Sequence, residues 1–81
     1  MEIILTSTGK RDLDSLQEDV KKQIYTGLDK INLPVANIKK IKGKPGLKRL
    51  RLGDYRVLFK QEGNKVYVMN VKHRKDVYRY I

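Results

Sequence analysis

Eighty-one residues make one small domain, residues 1–81, whose thin margin of buried surface limits its stability. With no cysteine and one histidine, the chain supports neither a disulfide framework nor a thiolate or multi-histidine metal site. The net charge of +10 is segregated: residues 1–32 hold five basic and six acidic side chains, residues 33–81 fourteen and three. A basic half on a neutral base favours a polyanion (RNA or DNA) or an acidic protein over a membrane surface. The N-terminus is too short in apolar residues for a signal peptide, and no run reaches about 18 apolar residues, so a soluble, cytoplasmic protein is expected.

In chain order, Glu2 to Ser7 reads as a short apolar strand. Leu13, Leu16, Val20, Ile24, Leu28 and Ile31 follow at three- and four-residue spacings, a helical stripe. Ser7 or Thr8 is the expected cap, and Glu18 with Lys22 an i,i+4 pair. Ser15-Leu16-Gln17 breaks the stripe into helices over about 8–15 and 17–32, or kinks one broken helix. Pro34 ends it. Residues 35–46 read as a basic linker. Three strands are expected over about 47–52, 55–61 and 65–72, joined by two-residue turns at Gly53-Asp54 and Gly63-Asn64. The order β-α-α-β-β-β predicts an α+β domain with helices on one face of an antiparallel β-sheet.

The Gly53-Asp54 turn, read as type II′, sets Leu52 opposite Tyr55 and Arg51 opposite Arg56. Like charges across a ladder destabilise it, so this pairing looks built for an anion. Alternation then separates two faces. Leu50, Leu52, Tyr55, Val57, Phe59, Val66 and Val68 form the apolar one. Arg49, Arg51, Arg56, Leu58, Lys60, Tyr67, Met69 and Val71 form the other. With both turns two residues long, Arg56 lies opposite Val71 and His73 projects beside the arginines. Of Tyr78 and Tyr80, one is expected to anchor in the core and one to be exposed. Only Asp54, Glu62 and Asp76 could neutralise the basic half, and fourteen cations compete for them.

Cleaving a phosphodiester needs charge stabilisation and proton transfer. RNA can supply its own nucleophile, the 2′-hydroxyl. Arg49, Arg51 and Arg56 could then stabilise the phosphorane charge, and His73 or Tyr78 could move protons. No Gly-rich phosphate loop, Ser/His/Asp set or dinucleotide fingerprint points to another enzyme class.

The runs Leu50-Arg51-Leu52-Gly53-Asp54-Tyr55-Arg56-Val57-Leu58-Phe59 and Val71-Lys72-His73-Arg74-Lys75-Asp76-Val77-Tyr78 resemble the RelE/ParE toxin superfamily over nearly the whole chain. The resemblance implies the microbial-RNase-like RelE fold. It also implies a toxin of a toxin–antitoxin pair, a ribosome-dependent mRNA endonuclease that cuts in the ribosomal A site and leaves a cyclic phosphate, with no metal or cofactor. Arg56 matches the family's strand arginine and Tyr78 its C-terminal tyrosine. Arg49 and Arg51 fall where RelE has lysines, which keeps the charge and weakens any role for a lysine as proton carrier. His73 and Arg74 fall in the region of the late basic residue, where other branches use a histidine as general acid or base. Lys42, Lys44, Lys48, Arg74 and Lys75 are the expected RNA-binding cations. The implied partner is an acidic antitoxin that folds on binding into a hetero-oligomer. The alternatives are a ParE-like gyrase inhibitor and a non-catalytic RNA-binding module.

Overall fold

Thr6, rather than Ser7 or Thr8, starts the first helix: its hydroxyl accepts the Gly9 N–H at 3.1 Å. The same hydroxyl donates to the Val68 carbonyl at 2.8 Å, so one side chain caps the helix and ties it to a strand. This is a computed structural model, and it describes residues 2–79. The expectation for Tyr80 lies outside those residues. Strand β1 is Glu2–Leu5, helix α1 Ser7–Asp14 and helix α2 Glu18–Asp29. The helices break near the expected place. The expected Glu18–Lys22 pair gives way to Lys21, which lies 3.5 Å from Glu18 and 4.0 Å from Asp14. Asp14 closes α1, and Lys21 sits where carboxylates of both helices converge.

The helical stripe is buried as expected. Leu13, Ile24, Leu28 and Ile31 pack with Leu50, Val57, Phe59, Val66, Val68 and Val71, and Leu16 and Val20 border this core. Each fully buried aliphatic side chain contributes about 1.5–3 kcal/mol.

The sheet has five strands in the order β1-β5-β4-β3-β2, with β2 Ile38–Lys40, β3 Leu47–Leu52, β4 Tyr55–Glu62 and β5 Lys65–His73. Two features depart from a simple antiparallel sheet. β1 pairs parallel to β5, so the sheet is mixed. β2 lies inside the expected linker and pairs antiparallel to β3. All three of its residues are exposed, so it shows no alternation of apolar and polar positions.

Gly53 has φ +58°, and no described non-glycine residue has positive φ. Asp54 therefore has negative φ, which excludes type I′ and fits the expected type II′ turn. Leu52 faces Tyr55, Arg51 faces Arg56, and Glu62 faces Lys65, as the turns require.

The β4–β5 ladder corrects one expectation. Leu58 pairs with Asn70, Phe59 pairs with Val68, and Met69 is the extra residue of a bulge. Arg56 therefore faces Lys72 rather than Val71, and Tyr55 faces His73. The bulge has a packing cause. Without it, Asn70 and Lys72 would enter the core behind Val66 and Val68. With it, Val71 enters instead and is 3% exposed. The one-residue shift also carries His73 to the helix-covered face, away from the arginines.

Candidate functional site

The Gly53-Asp54 turn aligns Arg51, Arg56 and Lys72 as direct partners across three adjacent strands. Two residues further along, Lys39, Arg49, Leu58 and Asn70 form the next row across four strands. Arg51 is exposed and Arg49 half-buried. Arg56 is 9% exposed, and its guanidinium donates to the carbonyls of Gly53 at 2.8 Å and Tyr55 at 3.0 Å. Its pKa is lowered, first by burial, then by Arg51 and Arg49; Tyr78 opposes the shift and Arg74 adds to it. Among the described residues, no carboxylate pairs with Arg49, Arg51 or Arg56. The cross-strand arginine pair expected from the sequence is therefore present, and its like charges disfavour the charged form of Arg56.

The tail is tied to the same turn. The Arg74 N–H donates to the Asp54 carbonyl at 2.7 Å, and the Arg74 Nε lies 3.7 Å from an Asp54 carboxylate oxygen. The short 3-10 turn Val77–Arg79 follows, with Val77 buried at 1% exposure. That anchor leaves Tyr78 73% exposed. Tyr78 lines a cleft of about 290 Å³ with Lys39, Lys40, Ile41, Lys42 and Arg49. Arg49 lines this cleft and shares a strand face with Arg51, so it joins the cleft to the arginine row.

His73 stands apart from this group. Its ring meets Tyr55 edge-on, with centroids 5.4 Å apart, and its Nδ1 accepts the Lys75 N–H at 3.2 Å. A neutral His73 therefore carries its proton on Nε2. Of the expected RNA-binding cations, Lys42 lines the Tyr78 cleft. Lys44 lines a separate concavity with Leu58, Lys60, Met69 and Asn70. Lys48 pairs with Phe59, so alternation puts it on the helix-covered face; it borders an edge cavity of about 440 Å³ with Lys40 and Lys44. Arg74 and Lys75 are exposed in the turn before Val77.

The structure adds one residue that the helical stripe concealed. Asp12 is 7% exposed, and its carboxylate accepts from the Val71 N–H at 3.0 Å and the Asn70 amide at 3.4 Å. The Lys72 ammonium lies 3.0 Å from its other oxygen. Beside Leu13, Asp12 falls on the buried side of α1, and a carboxylate at such a position signals a polar partner.

Known proteins share this architecture. The family model described as ParE toxin of type II toxin-antitoxin system matches residues 3–78. Toxin RelE3 of Methanocaldococcus jannaschii is 29% identical over 86 residues, covering 99% of this chain and 98% of the relative. The RelB-RelE antitoxin-toxin complex from Methanococcus jannaschii contains a chain superposing with a TM-score of 0.78 at 28% identity, over 96% of this chain and 98% of that one. The toxin-antitoxin complex RelBE2 from Mycobacterium tuberculosis gives a TM-score of 0.71 at 24% identity, over 90% and 96%, a likeness of fold. With its family model matched from residue 3 to residue 78, the chain belongs to the RelE/ParE family and is a toxin of a type II toxin–antitoxin system.

Proposed function

We propose that this toxin is an endoribonuclease that cleaves mRNA in the ribosomal A site. The observation that carries the reading is the Arg51–Arg56 cross-strand pair with Tyr78 exposed beside Arg49. The 2′-oxygen attacks the adjacent phosphorus, the bond from phosphorus to the 5′-oxygen breaks, and a 2′,3′-cyclic phosphate and a 5′-hydroxyl end remain. The 2′-hydroxyl loses a proton and the leaving 5′-oxygen gains one. Arg49, Arg51 and Arg56 stabilise the charge that develops on the phosphorane. Tyr78 exchanges protons with the reacting oxygens. Lys42 and Lys44 extend the cationic path for the strand. His73 contacts Tyr55 and the turn at Lys75, so we assign it to positioning the tail.

Cleavage on programmed ribosomes tests these roles. Arg56→Ala is expected to lower the rate about 10²–10³-fold, the usual effect of removing a charge-stabilising donor. Tyr78→Phe should fall in a similar range. His73→Gln should retain most cleavage if its fold is intact. Equal rates for wild type and Arg56→Ala would overturn the site assignment.

Similarity to RelB-RelE complexes supports a cognate antitoxin as partner. Charge complementarity favours an acidic segment that orders on binding. The ParE description of the matching family model supports a second reading, inhibition of gyrase. Loss of supercoiling by purified gyrase, without new ends on ribosome-bound mRNA, would put that reading first. RNA binding with neither effect would leave a non-catalytic RNA-binding module.

A further inference from the structure

β1 pairs with β5 only as far as Val68, and beyond it α1 takes over along that edge. The Val71 N–H points to this edge and is met by the Asp12 carboxylate at 3.0 Å. The other Asp12 oxygen holds the Lys72 ammonium at 3.0 Å. Lys72 is the third member of the row in which Arg51 and Arg56 precede it. Its side chain is 22% exposed and Asp12 7%, so the pair is shielded from solvent screening. Among the described residues, no carboxylate pairs with Arg51 or Arg56.

We propose that Asp12 is a positioning residue that withdraws Lys72 from the anion-binding row, so that the cations offered to a phosphodiester end at Arg56. The proposal rests on the RNA reading of the arginine face. It makes the charge of that face a gradient. The field is strong over β3 and towards the lysines of β2, and is cancelled at β5. A bound strand is then drawn along the side of Lys39 and Lys42, past Tyr78, instead of across β5. The bulge supports this arrangement, since it puts Lys72 opposite Arg56 and within reach of Asp12.

The test uses Asp12→Asn, which keeps an oxygen for the Val71 N–H and removes the charge, and the double variant Asp12→Asn/Lys72→Met. The probe is a single-stranded oligoribonucleotide made uncleavable by 2′-deoxy substitution, titrated across a salt series. For a single strand, each added phosphate contact steepens the dependence of log K on log salt by about 0.7. Asp12→Asn is expected to steepen the slope by about that amount, and the double variant to return it to the wild-type value. A structural role alone would lower thermal stability and leave the three slopes equal. In the wild type, side-chain NMR should show the Arg51 and Arg56 guanidinium signals shifting with RNA while the Lys72 ammonium signal stays fixed. This second measurement decides the matter if Asp12→Asn does not fold. Equal slopes, or a Lys72 signal that moves with those of the arginines, would overturn the inference and leave the RNA reading standing. Failure of the wild type to bind the RNA at low salt would overturn both.

Discussion

Arg56 is the residue on which the proposed chemistry turns, and its environment has a thermodynamic sign. Burial, then Arg51 and Arg49, lower its pKa in the fold relative to the unfolded chain. The charged form is therefore disfavoured in the folded state. That cost disappears only as pH rises through the lowered pKa, in the alkaline range. Below that range Arg56 is protonated in both states, so its contribution to stability is flat. At neutral pH a bound anion relieves the repulsion instead. Sulfate should raise Tm more than chloride at matched ionic strength. At ten times its Kd it contributes about 1.4 kcal/mol, and each kcal/mol moves Tm by roughly 4–8 °C in a chain this small. Sulfate also stabilises proteins generally by exclusion from their surfaces. Arg56→Gln separates the two effects: it should abolish the specific increment and keep the general one. An equal increment in the variant would show that sulfate does not use this row.

The close fit of α1 against the edge of β5 carries a prediction at the level of elements. A Cβ on Gly9 would collide with the Val68 carbonyl oxygen, a backbone atom that cannot swing aside. Replacing glycine by alanine inside a helix ordinarily stabilises by about 0.5–1 kcal/mol. Here the sign should reverse, with Gly9→Ala costing about 1–3 kcal/mol through overpacking. Denaturant unfolding measures it, and a neutral or stabilising result would mean that α1 does not approach β5 this closely. Sequence conveyed the two helices and the three long strands because each alternates or repeats with its own period. β2 was hidden, since Ile38, Lys39 and Lys40 are all exposed and carry no periodic signal. The register of the second hairpin was partly written in the chain: Val66, Val68 and Val71 are spaced two and then three apart, the mark of a bulge. A uniform hairpin would carry His73 to the arginine side, whereas the bulge sends it to Tyr55. Arg51 facing Arg56 was legible because one short turn fixes it. Tyr78 beside Arg49 depends on the tail's anchoring at Val77, and the role of Asp12 depends on where β1 stops, and neither can be read from local spacing.

Across the whole molecule, the net charge of +10 divides into +11 on residues 33–81 and −1 on residues 1–32. That asymmetry sets how fast an acidic partner arrives more than how long it stays. Association with an acidic antitoxin segment should slow steeply as salt rises, by tenfold or more if steering dominates, while dissociation changes little. Stopped-flow mixing across a salt series measures both rates. A salt effect confined to dissociation would remove charge steering from the account.

The parallel pairing of β1 with β5 has a consequence in time. Glu2 meets Lys65, and the hydroxyl of Thr6 reaches Val68, contacts that join the opening of the chain to its last quarter. During synthesis these early residues must wait, because their strand partner has not yet been made, and contacts so distant in sequence form slowly. The arginine row waits as well, since Lys72 and the tail that carries Tyr78 follow Arg51 and Arg56 in the chain. If the toxin cleaves mRNA as proposed, its site is complete only once the segment carrying Lys72 and Tyr78 has folded back onto β4 and β3.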